Sequence, residues 1–143
     1  MGAFFAPLLG LLVFMSKILI QVNQPAYGQN TSFKALCFAK AAIAEGHEIL
    51  RVFFYQDGVL STNSLNSPAS DEFDLTKAWI ALGQQHNVAL INCVSAALRR
   101  GVLSQTEASE QQLTHWNCDN PFVMGGLGEL VTGIEQADRV VCF

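Results

Sequence analysis

Four thiols, Cys37, Cys93, Cys118 and Cys142, are the side chains in this sequence best suited to forming and breaking covalent bonds near neutral pH. They lie far apart, make no Cys-x-x-Cys pair, and share no spacing with His47, His86 or His115 that would build a structural zinc site. No metal is therefore expected. Half of the 143 residues are apolar, enough for one core without covalent staples, so the four are read as free thiols in a reducing, cytoplasmic compartment.

Cys93 stands apart because it falls at the end of an apolar run and directly before Val94-Ser95-Ala96-Ala97-Leu98. In parallel α/β sheets, reactive groups gather beyond the carboxyl ends of the strands. A thiol placed before a helix meets unpaired backbone amides and the positive end of the helix dipole, both of which favour the thiolate. Arg99 and Arg100 are too far along the chain to add much to this, since at about 1.5 Å rise per residue they lie roughly 9–10 Å away on a straight helix. That is about one Debye length at physiological salt. They are expected to complement the helix end, dock a partner or form a solvated basic tip. Taken alone, Cys93 is a weak signal, because a free cysteine is more often a small buried hydrophobe.

The other candidates have simpler accounts. Cys37, on the apolar face of a helix, and Cys142, in a closing strand, are expected in the core. Cys118 lies in a polar loop, where it is either an incidental cysteine or an exposed resolving thiol. The three histidines fall at element boundaries or in loops, as surface residues. Gly126-Leu127-Gly128 lacks the full GxGxxG pattern and a P-loop lysine, so tight packing at a helix start is expected there, without phosphate or any other cofactor. Asp57 and Gly58 follow a strand and are candidates for shaping the surroundings of Cys93.

The elements that must position these side chains alternate between strand-like and helix-like, the pattern of a layered α/β domain with a largely parallel sheet. Strands are predicted over residues 18–22, 49–55, 88–94, 122–124 and 139–143. A helix over 31–45 should bury Phe33, Leu36, Cys37, Ile43 and Ala44 and stop at Gly46. A long polar loop is expected over 56–68. Ser70 should cap the next helix, with Asp71 and Glu72 in its first turn, Leu75, Trp79 and Leu82 on one face, and His86-Asn87 at its end. Short helices should follow Cys93 and begin at Ser104, whose spacing to Glu107 is that of a capping box. A last helix runs from the 126–128 glycines to about 136.

The chain is long enough for one domain and carries 12 acidic against 8 basic side chains, a net charge of -4, so it lacks the broad basic footprint of a nucleic-acid binder. Residues 1–15 are uncharged and mostly apolar, but a bilayer-spanning helix needs about 20 such residues, and no basic residue precedes them as a signal peptide requires. Residues 1–14 are therefore expected to be an extension outside the fold, with the domain over 15–143 and no membrane association.

Several ordered segments carry a specific resemblance. Pro25-Ala26-Tyr27-Gly28, Val52-Phe53-Phe54-Tyr55-Gln56-Asp57-Gly58-Val59, Ser67-Pro68-Ala69-Ser70-Asp71-Glu72-Phe73-Asp74-Leu75, Cys93-Val94-Ser95-Ala96-Ala97-Leu98-Arg99-Arg100-Gly101, Gly126-Leu127-Gly128 and Asp138-Arg139-Val140-Val141 together resemble the DsrE family of sulfur-relay proteins. The resemblance runs from Met15 onward. It implies a flavodoxin-like fold of about five strands with helices on both faces, and a sulfurtransferase that holds sulfur as a persulfide on Cys93 without a cofactor. It also implies a heterohexamer with TusB-like and TusC-like subunits, a TusA-like donor, a TusE-like acceptor and 2-thiolation of tRNA wobble uridine as the destination. A sulfur carrier in sulfur oxidation, or an interaction subunit with an idle thiol, remain the alternatives. The extension before Met15 and the segment 111–120, with its additional Cys118, are where the family pattern is least defined.

Overall fold

The computed structural model describes residues 15–143. The extension expected over 1–14 lies outside the described residues. Five strands, β1 (Lys17–Val22), β2 (Glu48–Phe54), β3 (Ala89–Cys93), β4 (Phe122–Gly125) and β5 (Arg139–Cys142), form one sheet in the order β4-β3-β2-β1-β5, with every pair parallel. The expected flavodoxin-like layering is present. Successive crossovers step from β1 to β4 in one direction, and the last returns across the sheet to β5, so right-handed connections send the final helix to the opposite face.

On the first face lie α1 (Thr31–Ala44) and α2 (Leu75–His86). The stripe of α1 that meets the sheet is Ser32, Ala35, Leu36, Ala39 and Ala42, not the bulkier set predicted from the sequence. Small side chains let the helix approach β1 and β2 closely. Phe33 is accordingly turned outward and stacks edge-on with Phe73 at 5.1 Å, and Cys37 is exposed, contrary to its expected place in the core. In α2, Leu75, Trp79 and Leu82 are buried as expected, and Trp79 packs edge-on against Phe54. The helix starts later than predicted. Asp74, not Ser70, accepts the Lys77 amide at 3.0 Å, while Glu72 closes the preceding turn on the Ala69 amide. Asn87 ends α2 in the left-handed region, as the His86-Asn87 reading anticipated.

The expected loop over 56–68 begins instead as a 3-10 helix, Gln56–Thr62, with Gly58, Val59, Ser61 and Thr62 buried. Gly58 makes that possible. A Cβ there would stand 1.9 Å from the Val22 carbonyl oxygen at the end of β1, so only glycine lets the segment press onto the sheet's carboxyl edge. Ser61 and Ser32 hydroxyls meet at 3.3 Å and tie it to α1.

The second face is covered more thinly, by α5 (Leu127–Gln136), which follows the short helices α3 (Val94–Leu98) and α4 (Gln105–Glu110). Gly133 is where α5 touches the sheet: a Cβ would lie 2.4 Å from Leu19 Cδ1 and 2.9 Å from Arg51 Cδ. Gly126 and Gly128 have open space around them, so the tight packing expected at the helix start is found at Gly133 and at Gly125, against Ile91. The apolar stripe of α5, Leu127, Val131 and Ile134, points away from the sheet and is exposed at 52, 54 and 45%. Edge strand β5 leaves Cys142 exposed, which corrects its expected burial.

Candidate functional site

Residues Leu90, Ile91 and Asn92 run through the middle of the sheet, between β2 and β4, and deliver Cys93 to its carboxyl end. Cys93 pairs with Gly125 of β4 and is at the same time the N-cap of α3, with φ -62° and ψ 112°. The strand-to-helix junction expected from the sequence is therefore present. A helix of five residues carries little of a macrodipole, and no side-chain hydrogen bond caps its first turn. Its side chain is 3% exposed. Any reagent for this thiol must approach along a narrow path or displace a neighbouring segment.

Asn92, completely buried, donates from Nδ2 to Thr62 Oγ1 at 2.9 Å, and Thr62 in turn donates to the Val59 carbonyl at 2.8 Å. The same amide lies 3.8 Å from Cys118 Sγ and 3.7 Å from Met124 Sδ, and its Oδ1 finds no partner among the described residues. Downstream of Cys93, Arg100 reaches back with Nη1 to the Ala96 carbonyl at 3.1 Å and with Nε to Asp57 Oδ1 at 2.7 Å. Asp57 thus contributes to the surroundings of Cys93 through Arg100. Arg99 is exposed.

Cys118 is the largest departure from expectation. It is 2% exposed, and burial pushes its thiol above the ordinary range, opposed in part by hydrogen bonds to Thr62 and Asn92. The cause is Asn117. Its Oδ1 accepts the Leu103 amide at 2.8 Å, its Nδ2 donates to the Gly101 carbonyl at 2.9 Å, and the backbone amides of Asn117 and Cys118 both donate to Leu103 O. The Ser64 amide donates to the Asn117 carbonyl at 2.7 Å. These bonds draw the loop inward and seat Cys118 in the wall of an open cleft of about 360 Å³ lined also by Ser104, Glu107, Asp119 and Met124. The capping box expected at the start of α4 is present, with the Glu107 carboxylate accepting from the Ser104 amide and hydroxyl.

Thr62 and Asn92 did not figure among the sequence candidates. Asn92 carried a signal, an amide set inside the apolar run Val88-Ala89-Leu90-Ile91. Thr62 carried none. No cluster of three or more His, Cys, Asp or Glu that would hold a metal occurs among the described residues, and no described helix is long and apolar enough to cross a membrane.

The chain is 52% identical to a sulfurtransferase TusD homolog of Aliivibrio fischeri over 122 residues, 85% of this chain and 94% of that relative. It is 51% identical to the sulfurtransferase TusD of Pectobacterium carotovorum over the same share of this chain and 95% of that protein. The crystal structure of the ychN protein from E. coli superposes with a TM-score of 0.69 at 22% identity, covering 90% of this chain and all of that one, which supports the fold. With residues 16–143 also matching the model of the DsrE/DsrF-like family, the chain belongs to that family.

Proposed function

We propose that this chain is a TusD-type sulfurtransferase that carries sulfur as a persulfide on Cys93 and relays it toward 2-thiolation of tRNA wobble uridine. The observation that carries the reading is a cysteine at the carboxyl end of a central parallel strand, capping the next helix, in a chain about half identical to sulfurtransferases along most of its length. The Cys93 thiolate attacks the outer sulfur of a donor persulfide, the donor's S–S bond breaks, and the donor leaves as a thiolate. An acceptor thiolate then attacks the outer sulfur on Cys93, which leaves as a thiolate in turn. One S–S bond breaks for each that forms, so no external oxidant or reductant is needed.

The chain acts in the cytoplasm within a relay, taking sulfur from a TusA-like donor and giving it to a TusE-like acceptor, in a heterohexamer with TusB-like and TusC-like subunits. The outward apolar stripe of α5 supports assembly, because a stripe of that kind at a subunit surface is stabilised by a partner that removes it from water. The acidic net charge supports a protein that serves tRNA through partners without gripping it. Complementing a deletion strain tests the proposal. The wild-type gene should restore wobble 2-thiouridine and Cys93→Ser should not; full thiolation with Cys93→Ser would overturn it.

A further inference from the structure

We infer that the 3-10 helix Gln56–Thr62 is a brace that positions Cys93, with Asp57 and Thr62 as its two points of attachment and Arg100 and Asn92 as their counterparts. This deepens the sulfur-carrier reading and rests on it. The two ties meet the chain on either side of the thiol. Thr62 holds Asn92, the residue immediately before Cys93, through a fully buried hydrogen bond of 2.9 Å. Asp57 holds Arg100, whose other contact, the Ala96 carbonyl three residues after Cys93, lies within α3 itself.

The brace is itself fixed. Gly58 lets it lie against the end of β1, the Tyr55 amide donates to the Val22 carbonyl at 2.9 Å, and the Ser61 hydroxyl meets Ser32 of α1. Cys93 is thereby set between a residue locked to one end of a rigid turn and a helix locked to the other. Sulfur transfer between two thiols needs the three sulfur atoms in line, so a small rotation of α3 lowers the rate without unfolding the domain. Asp57, Arg100 and Thr62 are positioning residues in this account. The Asp57–Arg100 pair is half exposed, with side chains 55 and 30% accessible, so its effect is modest.

The test uses Asp57→Asn, Arg100→Gln, the double variant and Asp57→Glu, each purified in complex with its partner subunits. Two rates are read for Cys93 by peptide-resolved mass spectrometry: sulfur loading from a persulfide donor, and iodoacetamide alkylation across pH. Each of the first two variants should slow loading about fivefold, the double variant should be no slower than the slower single, and Asp57→Glu should stay within about twofold of wild type. The alkylation profiles of Asp57→Asn and Arg100→Gln should move in the same direction, because removal of either partner releases the same geometry. Wild-type rates in the singles, additive losses in the double variant, or opposite shifts of the two profiles, as direct charge effects would give, overturn the brace. Should the wild-type complex take up no sulfur on Cys93, the carrier reading falls, while the alkylation profiles still decide the positioning role.

Discussion

Cys93 and Cys118 are both almost wholly buried and both adjoin Asn92, one as its neighbour in the chain and the other against its amide, yet the two regions hold their sulfur in opposite ways. The region of Cys93 is a junction, where a strand ends and a helix begins at the same residue. That of Cys118 is a bracket of side chains in the wall of the cleft. Thr62 and Asn92 surround the sulfur, and the loop carrying it is laced to Leu103 and Gly101 through Asn117. Burial therefore does not tell the two thiols apart. The backbone beneath the sulfur does: under Cys93 a strand gives way directly to a helix, whereas under Cys118 a loop is tied down on both sides.

The largest way to break the comparison is to remove the turn that both regions share. Gly58→Ala forces the 3-10 helix off the end of β1 and should cost about 3 kcal/mol, the upper range for overpacking, since backbone is the obstacle. A urea midpoint unchanged from wild type would show that the turn is not seated as described. Thr62→Val is smaller and more selective. It leaves the Asn92 Nδ2 donor without its acceptor and should destabilise by roughly 1–3 kcal/mol in thermal or urea unfolding. It should also raise the alkylation of Cys118, whose bracket it opens.

Cys118→Ala is the mildest change, costing about 1 kcal/mol for one small buried group, and it sharpens the contrast through pH. The Cys118 thiol is raised by burial, so the folded state favours its protonated form. Its contribution is fully present below the unfolded thiol value, about 8.5, and is lost as pH rises through the higher folded value. Stability of the wild type should thus fall more steeply above about pH 8.5 than that of Cys118→Ala. Parallel alkaline limbs in the two unfolding series would contradict the enclosed thiol.

How far these features were legible in the sequence depends on the range of the forces involved. The strands were readable because Ile18, Ile20 and Val22, or Leu90 and Ile91, are local runs with one possible use between two layers. Cys93 was placed for the same reason, as the residue that ends such a run. The misplaced residues turn on contacts between distant segments. Hydrophobicity points Phe33 and Cys37 inward, but the close approach of α1 to the sheet selects Ala35, Ala39 and Ala42, and Phe33 finds Phe73 forty residues away. The polarity of its loop points Cys118 outward, and nothing local reveals that Asn117 turns that polarity into an anchor. Asp57–Arg100 and Thr62–Asn92 join positions 43 and 30 residues apart, and no periodicity reports them.

The central claim is tested most directly by loading the purified complex from a persulfide donor, trapping persulfides by alkylation and mapping them by mass spectrometry in wild type, Cys93→Ser and Cys118→Ser. Sulfur should be found on the Cys93 peptide in the wild type and in Cys118→Ser, and should disappear in Cys93→Ser. Sulfur found on Cys118 with none on Cys93 would contradict the account.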